Sequence, residues 1–436
     1  VSFGEAFRFW LKLGFISFGG PAGQIAIMHT ELVERRRWIS ERRFLHALNY
    51  CMVLPGPEAI QLAIYIGWLL HRAWGGIVAG VLFLLPSVFI LVALSWIYMA
   101  FGEVPAVAGL FYGIKPAVVA IVVAAAWRIG SRALKHPALW AFSLGAFVAI
   151  VAGVPFPYIV VGAGLLGALG GRFAPRVFAG GGGHGAAQQS YGPALIDDDT
   201  PVPAYARHGW GHFAGVLAAG LALWGASIGL LAALFSWQHT ATQMGWFFTK
   251  AALLTFGGAY AVLPYVYQAA VEHYQWLTAP QMIDGLALGE TTPGPLIMVV
   301  AFVGFAGGWA KALFGPENLF LAGTLCALVA TWFTFLPSFV FILLGGPLVE
   351  STRGALRFSA PLTGITAAVV GVIVSLAVFF SRHVFWPQGL TAPLDWVSLA
   401  GAAVAMLALM RYKVGLIPLI GAMGGAGMLL RLAGLA

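Results

Sequence analysis

Apolar residues in this chain run in long unbroken blocks and do not alternate with polar ones. Blocks such as 77–100, 212–235 and 319–345 reach the roughly 20 residues that a helix needs to cross a bilayer. A transmembrane β-barrel would show short alternating segments, so the pattern predicts an all-α polytopic membrane protein. Two stretches interrupt apolar runs where a helix would otherwise continue, "LPGPEAIQ" (54–61) and "TPGPLIMV" (292–299). Proline removes a backbone donor and clashes with the preceding turn, and glycine loosens the helix further. The same helix-breaking triplet therefore stands once in each half of the chain.

The halves align as a repeat. "KLGFISFGG" (12–20) lies over "KAALLTFGG" (250–258) at an offset of 238, which also carries Trp38 onto Trp276 and the first "PGP" (55–57) onto the second (293–295). A 13-residue insertion then moves the offset to 251, aligning "LPSVFIL" (85–91) with "LPSFVFI" (336–342) and "GIKPAVVAIV" (113–122) with "GITAAVVGVI" (364–373). Near the ends the offset is 259. This collinear series predicts a duplication, with repeats at 1–171 and 237–436. Between them lie a Gly/Pro/Asp-rich linker at 172–210, read as solvent-exposed and cytoplasmic, and an unpartnered apolar helix at 211–236.

Charge orients the halves. The 436 residues are 60% hydrophobic and only 9% charged, with a formal net charge of +8. Loop 29–50, with "ERRRWISERR", and Arg128, Arg132 and Lys135 are predicted to be cytoplasmic, because basic residues stay on that side. The partner of the first loop, 266–283, has no lysine or arginine, whereas 346–358, the partner of the nearly uncharged 101–109, carries Arg353 and Arg357. A bias that swaps sides predicts inverted topology, with the lone helix supplying the odd crossing. In this threading, segments 4–28 and 44–72 are re-entrant. The N-terminus and linker face the cytoplasm and the C-terminus faces outward. No cleavable signal peptide is evident.

Candidate chemistry follows from the breaks. Broken backbone in a membrane persists only where it is buried in protein or lines a polar site, and half-helix N-termini offer N–H donors suited to an anion. The breaks are Gly19-Gly20-Pro21, Pro55-Gly56-Pro57, Gly257-Gly258 and Pro293-Gly294-Pro295; the other reading is structural kinks for close packing. Lys12 and Lys250 sit two turns before the glycine pairs and are read as anion-attracting or as snorkelling residues. Gln24, Ser17, Thr255, Thr291 and Thr292 can donate hydrogen bonds to oxyanion oxygens, or back-bond to their own helices. Glu290, ahead of Glu58, is the candidate proton carrier. Lys115 is a weaker candidate. Cys51 and Cys326 read as packing residues. No metal, cofactor or nucleophile motif is present, which argues against an enzyme, and nothing points to nucleic acid.

"FISFGGPAGQIAIM", "LPGPEAIQLA", "LTFGGAYAVLP" and "ETTPGPLIMV" resemble the chromate ion transporter family in its long, two-domain form. The resemblance runs through 1–171 and 244–436. It implies an inner-membrane carrier that exports chromate, confers chromate resistance and meets sulfate as a competing oxyanion, with proton-coupled efflux by antiport as the family idea. A sulfate carrier and a passive anion channel are the alternatives. The sequence leaves the coupling ion and any homo-oligomer open.

Overall fold

The structure is a computed structural model that describes residues 1–18, 20–178, 191–201, 205, 209–256, 258–351 and 359–434. Among these residues the regular secondary structure is helical, apart from one isolated parallel bridge between Ile39 and Ile196. Among the described residues, six helices are long and apolar enough to cross a membrane. The chain is a multi-pass α-helical membrane protein.

Local sequence signals set the first elements. Helix α1 (Phe3–Ile16) is capped by Ser2, and α2 (Gly20–His29) starts at a glycine with φ +69° and ends in a π-turn, Thr30–Arg35. Helix α3 (Glu41–Cys51) begins at Ser40, whose hydroxyl accepts from the Arg43 N–H. Helix α4 (Glu58–Phe101) has two arms, 58–70 and 73–101, folded back on each other where His71 and Arg72 leave helical geometry. Helices α5 (Pro105–Ala133), α6 (Pro137–Val151) and α7 (Phe156–Phe173) each carry proline in the first turn, where the missing N–H has no intrahelical partner to lose. A one-turn α8 (Pro175–Phe178) follows.

Helix α9 (Trp210–Phe235) is only 11% buried across its most apolar window. Its Trp224 indole donates to Thr249, and it packs at the edge of the molecule. The second half then retraces the first. Helices α10 (Thr240–Leu253) and α11 (Ala259–Tyr267) correspond to α1 and α2, and the π-turn recurs at Gln268–His273, at offset 238. Helix α12 (Ala279–Thr291) starts with a Thr278–Gln281 capping box at the position of Ser40. Helices α13 (Val299–Ala310) and α14 (Leu319–Ser351) correspond to the two arms of α4, and the residues between them hold the insertion seen in the sequence. Helices α15 (Ser359–Phe385), α16 (Trp396–Met410) and α17 (Leu416–Leu432) complete the set.

In both halves the first two segments fold back. Phe9 on α1 meets Trp38 at 5.2 Å between ring centres, and Phe247 meets Trp276 at 5.8 Å. The halves also interlock: α6 and α7 pack against α15, while α16 and α17 pack against α5. Glycines allow this closeness. A Cβ on Gly113 would strike the α17 backbone at Gly427, and one on its counterpart Gly364 would strike α7 at Gly167.

Residues 191–201 of the linker are not loose, because Ile196 buries its side chain and its backbone finds partners. Leu195 and Ile196 donate to the carbonyls of Arg37 and Trp38, and Ser40 donates to that of Ile196. Backbone N–H groups of Ala194 and Asp198 hold the Asp197 carboxyl below the usual carboxylate range. Arg353 and Arg357 lie outside the described residues.

Candidate functional site

The four interruptions meet in two crossed pairs. The Gly56 N–H donates to the Thr255 carbonyl at 2.7 Å, and the Gly294 N–H donates to the Ser17 carbonyl, also at 2.7 Å. These bonds are equivalent under the repeat: each "PGP" triplet is held by the α1–α2 or α10–α11 break of the other half. Gly56 and Gly294 adopt φ +123° and +104°, and Gly20 and Gly258 are also at positive φ, a region that favours glycine. Gly19 and Gly257 lie outside the described residues.

Buried side chains support both pairs. Gln24 donates to the carbonyls of Gly294 and Ser17, and Gln61 donates to that of Pro55 at 2.8 Å. The Ser87 hydroxyl donates to the Pro293 carbonyl, while its counterpart Ser338 sits where a Cβ on Gly56 would lie 2.6 Å from its Oγ. Gln24, Gln61 and Ser87 are fully buried. The Oε1 atoms of Gln24 and Gln61 are buried without a protein partner. Such atoms cost free energy unless something else pairs with them.

Two carboxylates stand at the junction of the pairs. Glu290, 7% exposed at the end of α12, accepts from the Tyr260 hydroxyl on the first turn of α11. Glu58 starts α4, and both its oxygens lie 3.9 Å from the Cβ position of Gly258. The N-terminal end of α11 therefore touches the first triplet through Thr255, Glu58 through Gly258, and Glu290 through Tyr260. First-turn N–H groups of α2, α4 and α11 lack intrahelical partners, which gives this junction a positive backbone potential.

The remaining predicted residues fall elsewhere or are already engaged. Pro57 and Pro295 cap the segments that resume after the triplets, and Pro21 lies in the first turn of α2. The hydroxyls of Ser17 and Thr255 back-bond to Leu13 and Ala251, and those of Thr291 and Thr292 to Leu288 and Gly289. Lys12 is exposed. It lines an open pocket of about 380 Å³ with Ser2, Glu5, Arg8 and Arg36, and no described break residue borders that pocket. The Lys250 ammonium lies 5.8 Å from the Trp246 ring centre. Two turns of helix carry each lysine away from the break, Lys12 to an exposed position and Lys250 to a half-buried one beside Trp246.

Other polar residues of this region were not anticipated from sequence. Ser87 and Ser338 stand at matched positions in the aligned "LPS" motifs, a signal that was legible. Gln61 and Tyr260 have no polar counterpart in the other repeat and gave none. Asp284, 2% exposed, accepts from Tyr98 at 2.8 Å and faces Lys115 at 3.5 Å. An acid within the apolar run "MIDGLALGE" is itself a signal.

A family model described as chromate transporter matches residues 4–168 and 242–428, the two repeats. A chromate transport protein of Pseudomonas aeruginosa is 32% identical over 98% of this chain and 92% of its own length. A chromate transport protein of Cupriavidus metallidurans is 28% identical over 86% of this chain and 82% of its own. A probable chromate transport protein of Synechococcus elongatus is 28% identical over 86% and 84%. No solved structure matches. With both repeats matched and these relatives spanning nearly its whole length, the chain belongs to the chromate transporter family.

Proposed function

We propose that this protein is a secondary transporter that exports chromate across the inner membrane and so confers chromate resistance. It works by alternating access between two inverted repeats. The observation that carries this reading is the crossed pairing of the breaks, Gly56 with Thr255 and Gly294 with Ser17. It gathers three helix N-termini around one buried polar junction, where a tetrahedral dianion can exchange water for backbone N–H groups. The relatives named as chromate transport proteins support the substrate class, and sulfate shares its charge and shape.

Electrostatics sets the sign of coupling. The junction holds Glu58 and Glu290, with the Arg128 guanidinium within electrostatic reach of Glu290 and Tyr260, while Lys12 and Lys250 stand outside it; with both carboxylates ionised the local charge is net negative and an arriving dianion is repelled. A proton on Glu290 or Glu58 removes that repulsion, and protein conformations that hold the oxyanion also hold the proton. Proton and anion then move in the same direction, in place of antiport. With one proton per dianion, one net negative charge leaves and is driven by the inside-negative potential, worth about 2.3 kcal/mol per 100 mV. Lys12, with Arg8 and Arg36, concentrates the anion before it enters.

Proteoliposomes test this with chromate and sulfate flux measured under imposed potential and pH gradients. Wild type is expected to show saturable flux that responds to both gradients. Glu290→Gln is expected to keep the response to potential and to lose the share of the pH response that Glu290 carries, and the double variant Glu290→Gln with Glu58→Gln to lose all of it. An unchanged pH response in Glu290→Gln removes this residue from coupling. Non-saturating flux that ignores pH identifies a passive anion channel instead.

A further inference from the structure

Among the described residues away from the breaks, buried charge collects at two places, and the repeat relates them. Arg43 on α3 and Glu350 near the end of α14 face each other at 3.8 Å, 8% and 6% exposed. Tyr65 on the first arm of α4 donates to Glu350 at 2.6 Å, and Arg43 donates to the Thr200 carbonyl of the linker at 2.6 Å. The repeat maps Arg43 to Gln281 on α12 and Glu350 to Met99 on the second arm of α4. Those two also meet, with Gln281 Nε2 4.0 Å from Met99 Sδ. The same helix contact is thus built twice, once charged and once neutral.

At the second contact the charge has moved one turn along. Asp284, three residues after Gln281, accepts from Tyr98, next to Met99, and pairs with Lys115 from α5. The two clusters lie at opposite ends of the molecule. The arm 73–101 starts at the His71–Arg72 turn, where Arg72 covers Tyr205 of the linker, and runs its length before reaching Tyr98. Each cluster is incompletely satisfied: Arg43 Nη1 and Asp284 Oδ1 are buried without a hydrogen-bond partner. A fully bonded network rigidifies, whereas a partly bonded one competes closely with an opened arrangement.

We propose that these clusters are the two end latches of the transport cycle, Arg43–Glu350–Tyr65 at the basic-loop end and Asp284–Tyr98–Lys115 at the other. Each joins a broken helix of one repeat to a long helix of the other, and each separates when its end opens. They are positioning residues that act on the path to the site. The conformation described has both latches closed, with the break junction enclosed between them. This proposal rests on the alternating-access reading above.

The native cysteines report on it. Cys51, fully buried at the end of α3, lies within electrostatic reach of both Tyr65 and Glu58, so it sits between the first latch and the break junction. Cys326, also fully buried, packs in α14 against Gly304 and Gly308 of α13. Alkylation by N-ethylmaleimide would be timed on the detergent-purified full chain without oxyanion. Glu350→Gln is expected to speed labelling of Cys51 by about fivefold or more, because it leaves a buried cation unpaired. Tyr65→Phe, a gentler change, is expected to speed it about twofold. Cys326 should hold its wild-type rate in both, and Asp284→Asn should not accelerate Cys51.

Wild-type Cys51 rates in monodisperse Glu350→Gln and Tyr65→Phe would overturn the latch. So would parallel acceleration of Cys326, which marks general loosening, or acceleration of Cys51 by Asp284→Asn. Labelling needs no substrate. A latch that behaves as described in a protein that moves no oxyanion would refute the transport reading alone.

Discussion

Gly294 shows how much one residue decides here. Its φ of +104° is strained for any side chain, and a Cβ would run into the Ser87 hydroxyl that holds the Pro293 carbonyl. Gly294→Ala is therefore expected to cost roughly 1–3 kcal/mol and to abolish oxyanion flux. Thermal melting in detergent measures the first and proteoliposome flux the second. Adding Ser87→Ala should recover part of the stability, because it removes the clash and leaves the strain. Glu58 makes a prediction of opposite sign. Its carboxylate lies beside Gly258 at the α11 N-terminus, so Glu58→Gln should lower the KM for the dianion, by about tenfold at alkaline pH if roughly 1.4 kcal/mol of repulsion is lost. At acidic pH the gap from wild type should close. The glycines and prolines of these breaks were legible because they disrupt a helix wherever they occur. The exposed position of Lys12 and the pairing of Asp284 with Lys115 were not, since spacing along a helix does not say which face meets which neighbour.

At the scale of elements, the fold-back of α4 comes where segment 44–72 was expected to end and the block 77–100 to begin, while the geometry of the turn was hidden. The basic pair His71-Arg72 marks a boundary in an apolar run, but nothing there resembles a turn sequence, and the equivalent point of the second half spreads over residues 311–318. The structure completes the first turn in two residues by placing Arg72 at φ 57°, ψ −156°, a region almost reserved for glycine. That strain is worth about 1–3 kcal/mol, against about 0.5–1 kcal/mol for the Arg72 guanidinium over the Tyr205 ring at 5.3 Å. The strain exceeds what the ring contact returns. Arg72→Gly should raise the melting temperature, and a fall would show that the contact with the linker outweighs it. The two π-turns, Thr30–Arg35 and Gln268–His273, carry the opposite lesson. The two share Val-Glu at the same register, Val33-Glu34 and Val271-Glu272, and differ in their first three residues, so the irregular geometry recurs with the repeat at offset 238 in the return from each break.

For the whole molecule, interlocking of the repeats matters more than their similarity. Helices α6 and α7 of the first half cover α15 of the second, and α16 and α17 of the second cover α5 of the first. Each break is likewise completed from the other half, through the Gly56–Thr255 and Gly294–Ser17 bonds. Repeat alignment revealed the duplication, but it could not reveal this exchange, because a helix packed on its own half and one packed on the other half have the same apolar pattern. The consequence can be tested by dividing the gene between codons 178 and 191, which leaves the docked linker residues and α9 on the second fragment. Neither fragment alone can pair its triplet or cover α5 or α15, so each should be degraded or aggregate when expressed singly. Co-expressed, they should copurify through a tag on either fragment and regain oxyanion flux, since every swapped contact is noncovalent and α9 touches the body only at its edge. Two fragments that purify separately as stable, monodisperse species would mean that each repeat folds around its own helices, and the exchanged packing that builds the central junction would then be wrong.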